Sequence, residues 1–61
     1  MMDAKQLAKH VAKKWEAITG LPKSAMHDEG EFPEEVNGLC RAHGVDIASF
    51  SEAFNDALEG S

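Results

Sequence analysis

An all-α fold, a small three-helix bundle, is what this sequence predicts, and three observations predict it. Apolar residues recur at three- and four-residue intervals in three separate stretches. Glycine or proline punctuates each of them. No stretch alternates apolar with polar residues as a half-buried strand does, and no asparagine-glycine hairpin signal is present. At 61 residues the chain has room for one domain, spanning 1–61.

The first helix is expected from about Asp3 to Thr19. Ala4, Leu7, Ala8, Val11, Trp15 and Ile18 fall on one stripe at roughly 100° per residue. Lys5, Lys9 and Lys13 form a second row on the opposite face. Asp3 is the N-cap or a first-turn acid. Gly20 is the stop, Pro22 cannot continue the helix, and Leu21 folds back toward Trp15. A connector follows over 22–31, the segment expected to be most mobile. Within it Ser24 caps a single turn through Met26 and His27, Gly30 closes the turn, and Met26 is the anchor to the core.

The second helix is expected over about 33–43. Pro33 stands at its first position, and Glu34 and Glu35 suit the positive end of the helix dipole. Phe32, Val36, Leu39, Cys40 and His43 make its inward stripe. Gly38 weakens it by about 1 kcal/mol relative to alanine, unless a close helix crossing requires it. Gly44 ends it, with Val45 packing back on Cys40. The third helix is expected over about 47–58, capped by Asp46, with Val45 and Phe50 as a hydrophobic staple. Ile47, Phe50, Phe54 and Leu58, helped by Ala53 and Ala57, form its buried stripe, and Gly60 ends it. A second registration has Ser49 as cap and Glu52 closing a capping box.

Charge divides the chain. Five lysines stand against Asp3 and Glu16 up to Lys23, a balance of +3, whereas nine acids stand against Arg41 alone from Ser24 onward, a balance of −8. The overall net charge of −5 disfavours nucleic-acid binding and favours partners that are neutral or basic at the contact. The single Cys40 excludes an internal disulfide and fits a reducing compartment, the cytoplasm. No apolar run approaches the roughly 20 residues that span a bilayer, and the lysines of the first 14 residues interrupt any signal-peptide core.

No enzyme site is expected. Cys40 and His43 share a helix face, and His27, Asp28 and Glu29 are further donors, but a structural zinc wants four ligands in paired spacings. A thiol nucleophile needs a pocket and an oriented base, and no glycine-rich phosphate loop is present. The expectation is therefore neither catalytic residues, nor a metal, nor a cofactor. Leu39-Cys40-Arg41-Ala42-His43-Gly44-Val45-Asp46-Ile47 resembles the helix-to-turn segment of the peripheral-subunit-binding domains of 2-oxoacid dehydrogenase acyltransferases, small helical domains that dock other subunits. The likeness covers nine residues. Beyond it, that family's glycine-rich loop and basic docking residues give way to Ala48-Ser49-Phe50-Ser51-Glu52, so the docking function is not carried over.

What remains is a protein-interaction module: an adaptor, inhibitor or regulatory subunit working through charged surfaces. Its candidate contact residues are Lys5, Lys9, Lys13 and Trp15 on the first helix and Glu34, Glu35, Glu52 and Asp56 on an acidic face. The acidic face is of the kind a nucleic-acid mimic from a mobile element would carry, and opposite charges at two ends permit self-association. The alternative is a dimeric helix-turn-helix regulator built on 36–54. Its reading helix would expose Glu52, Asp56 and Glu59 where DNA needs cations.

Overall fold

A computed structural model describes residues 1–26 and 32–60. Among the described residues there are four α-helices, one short 3-10 turn and no strand. The helices are α1 (Ala4–Lys13), α2 (Trp15–Thr19), α3 (Glu34–Ala42) and α4 (Ile47–Glu59), with the 3-10 turn at Lys23–Ala25. The chain is all-helical, as expected, but its first helix is two pieces rather than one.

Asp3 starts α1 with a complete capping box: its side chain accepts from the Gln6 N–H at 2.8 Å, and the Gln6 side chain accepts from the Asp3 N–H at 3.2 Å. The break comes at Lys14, whose φ of −110° and ψ of 22° leave the helical region. It redirects the chain. The piece before the break lies along α4 and the piece after it meets α3. Gly20, at φ 72°, closes α2 with its N–H on the Glu16 carbonyl, the single-bond left-handed stop.

Leu21, expected to fold back toward Trp15, is 39% exposed. The chain is tied back at its neighbour: the Trp15 indole N–H donates to the Pro22 carbonyl at 3.0 Å. That bond satisfies the one polar atom of an otherwise apolar buried side chain. The turn after Pro22 begins at Lys23 without a Ser24 side-chain cap, and Met26 packs on the core. The stop at Gly30 and the expected mobility of the connector fall on 27–31, outside the described residues.

Pro33 is the N-cap of α3 rather than its first residue. Gly44, at φ 66°, ends α3: its N–H donates to the Arg41 carbonyl and the Val45 N–H to the Cys40 carbonyl. These two bonds make a Schellman stop, and half-buried Val45 packs on the core as expected. Asp46 caps α4 by accepting from the Ser49 N–H at 3.3 Å, which selects the first of the two registrations. Ile47 nonetheless leaves the predicted stripe: it is 37% exposed at the first helical position.

The core draws on all four helices: Leu7, Ala8 and Val11 from α1, Trp15 from α2, Val36 and Cys40 from α3, and Phe50 and Phe54 from α4. All four aromatic residues of the chain meet there. Phe54 is the hub. It stacks on Phe50 at 5.5 Å, meets Phe32 edge-on at 5.5 Å and tilts against Trp15 at 6.1 Å. Phe32, ahead of α3, also meets Phe50 edge-on at 5.1 Å. Edge and offset arrangements of this kind add to the gain from burial.

Candidate interaction surface

The lysine row follows from helix geometry. Lys5, Lys9 and Lys13 are each four apart, so they stack along α1 at steps of about 6 Å. All three are exposed. They do not stand on a face remote from the rest of the molecule. They rim a groove between α1 and α4, formed by two adjoining concavities of about 360 and 240 Å³. The larger is lined by Lys9, Ala12, Lys13, Lys23, Met26, Ala57 and Leu58. The smaller is lined by Lys5, Lys9, Ala53, Asp56, Ala57 and Gly60.

The groove exists because the residues between the two helices are small. Ala12 on α1, and Ala53 and Ala57 on α4, stop short of filling the space between the backbones. Met26 and Leu58 complete an apolar floor at one end, and Lys23 adds a fourth cation there. A floor of methyl groups under ammonium heads suits a ligand with apolar side chains flanked by carboxylates.

The expected acidic face divides. Asp56 lies on the groove with Lys5 and Lys9, and Glu52 is exposed on the same helix. Glu34 and Glu35 are exposed at the start of α3, which contributes no residue to either concavity. Glu34 is engaged by Arg41, whose Nη2 donates to Oε1 at 2.6 Å across two turns of α3. Both side chains are largely solvated, so the pair is worth at most about 1 kcal/mol. Asp28, Glu29 and Glu31 lie outside the described residues. Trp15 is 2% exposed. It packs against Phe54 in the core and presents almost no surface to a partner in this fold.

Cys40 is fully buried and its thiol is pushed above its ordinary value by desolvation. That is the opposite of an activated nucleophile. Its helix neighbour His43 caps the end of α3 and accepts from the Met2 backbone N–H at its Nδ1, 3.1 Å away. The contact ties the chain's first residues to the α3–α4 corner. Among the described residues no three His, Cys, Asp or Glu side chains converge as a metal site would require. His27, Asp28 and Glu29, the further donors considered for zinc, lie outside those residues. No described helix is long and apolar enough to cross a membrane.

Sequence reading found the lysines and Asp56 but missed the floor. Ala12, Ala53 and Ala57 look like filler in a helical pattern. The signal that could have found them is the pairing of small residues four apart on α4 with another on the helix beside it. Comparison with known protein families, characterised proteins and solved structures finds no match to this chain.

Proposed function

We propose that this chain is a small acidic protein-interaction module, an adaptor, inhibitor or regulatory subunit, working in the cytoplasm through the face shared by α1 and α4. The observation that carries the reading is the lysine-rimmed apolar groove, with Asp56 on its other edge. Contact of this kind needs neither a turnover site nor a cofactor. In this reading α1 and α2 act as one kinked helix, and the body is a three-helix bundle with two of its helices framing the contact face.

A dimeric DNA-reading role for 36–54 is the poorer reading. The outward positions of α4 include Glu52, Asp56 and Glu59, all exposed, and no lysine or arginine. Phosphates would be repelled there. The acidic-mimic version of the inhibitor reading is also weakened, since Glu34 and Glu35 stand on a different element from Glu52 and Asp56.

The test is an affinity capture from the native host with the wild-type chain and with a variant carrying Lys5→Glu, Lys9→Glu and Lys13→Glu. The expected result is a partner held by the wild type and lost by the variant. Retention of every partner by a folded triple variant would remove the groove from the account.

A further inference from the structure

We infer that the occupant of the α1–α4 groove is a second copy of this chain, bound through a two-fold interface in which the lysine row of each copy meets the acidic row of the other. This rests on the reading of the groove as the contact face and names the partner.

Three observations converge. First, the groove has cations on one edge and an acid on the other: Lys5, Lys9 and Lys13 line it from α1 and Asp56 from α4, with Glu52 and Glu59 exposed on the same helix as Asp56. The acids are spaced four and three apart, so they too share one side of their helix. The lysine row spans about 12 Å and the acidic row about 10 Å, at 1.5 Å per residue.

Second, α1 and α4 run in the same direction. Asp3 and Ala4 share a surface depression with Asp46 and Ser49, near both helix starts. Lys9, Ala12 and Lys13 share theirs with Ala57 and Leu58, near both ends. A two-fold axis lying parallel to the helices, in the plane of the face, keeps every residue at its own height and exchanges the two sides. It therefore sets Lys5 against the partner's Glu52, Lys9 against the partner's Asp56 and Lys13 against the partner's Glu59. Self-complementarity of one patch is what a two-fold dimer demands.

Third, the floor permits close approach. Ala12, Ala53 and Ala57 place only methyl groups between the copies, and Met26 and Leu58 gain apolar cover at the groove's end. The chain is also of the size that profits from a partner. A standard interface of about 800 Å² per copy is a fifth of its 3953 Å² surface. Domains this small often draw stability from oligomerisation where disulfides are absent, and one cysteine allows no internal disulfide.

The test is sedimentation equilibrium of the full chain across concentration and salt, with far-UV circular dichroism to check folding. The wild type is expected to form dimers that dissociate as salt rises. Lys9→Glu and Asp56→Lys are each expected to raise the dimer dissociation constant by about a hundredfold or more, because like charges then face one another twice per dimer. Mixing the two variants sets the introduced Glu against the introduced Lys at one contact and leaves the original Lys9–Asp56 pair at the other, and is expected to restore a heterodimer. A folded wild type that stays monomeric at all concentrations, or dimers indifferent to salt, would overturn the inference. So would folded variants whose mixture does not associate. If either variant fails to fold, Lys9→Gln and Asp56→Asn replace them, each expected to weaken the dimer; unchanged association would overturn the inference. A monomeric wild type that still loses a captured partner on reversal of the lysine row would sink self-association and leave the contact face standing.

Discussion

Phe54 is the one aromatic residue whose ring meets all three of the others, Trp15, Phe32 and Phe50. Phe54→Ala removes the hub and costs about 3–5 kcal/mol, comparable to the whole stability of about 3–5 kcal/mol that a core this small supplies. The expected outcome is a chain substantially unfolded at 25 °C, read from loss of the helical circular dichroism signal. Gly38 works in the other direction. A Cβ built there meets nothing within 4 Å, so no close crossing requires the glycine. Gly38→Ala should therefore stabilise by about 1 kcal/mol, raising Tm by about 4–8 °C. A lowered Tm would show that the glycine serves α3 in some other way. Cys40 supplies a pH dependence. Its folded thiol titrates above its unfolded value because burial penalises the thiolate. Its contribution is therefore intact below the unfolded value of about 8.5 and is lost as pH rises from there through the folded value. Denaturant titrations from pH 7 to pH 10 should show stability falling in that window, and Cys40→Ala should flatten the fall.

At the scale of elements, the stops and starts were legible because capping is local chemistry. Asp3, Gly20, Gly44 and Asp46 all act at the helix ends where a sequence reading puts them. Asp46→Ala should cost α4 about 0.5–2 kcal/mol, measured as a shift in the denaturation midpoint, with Asp46→Asn largely sparing it. The interior of the first helix was not legible. Lys14 is an ordinary helix residue, and nothing in its identity announces the break. The break goes with tertiary packing: α1 lies on α4, α2 meets α3, and Trp15 at the start of α2 reaches Phe54 and the Pro22 carbonyl. Ile47 failed for a related reason. Periodicity assigned it to the stripe, but it sits at the first turn of α4, where the helix has only just met the core.

The molecule is small, with extents of 27 × 22 × 19 Å, and among the described residues no charged side chain is buried. Reversal of Lys5, Lys9 and Lys13 together should leave the fold intact, at a cost below about 2 kcal/mol that includes the unfavourable dipole of an acid at the end of α1. Thermal melts should show a cooperative transition in the variant, and a loss of association then reports on the surface rather than on unfolding.

The helical class, most of the helix ends and most of the core are written in the residues themselves, because capping and periodicity act over distances of a few residues. So are the charge rows, since residues four apart must share a helix face. Packing in three dimensions is what sets the lysines and Asp56 along one groove, lays alanines as its floor and hides Trp15. Those outcomes depend on which helices lie side by side and in which direction, and that is settled by burying the aromatic cluster, whose members are separated by up to 39 positions in the chain.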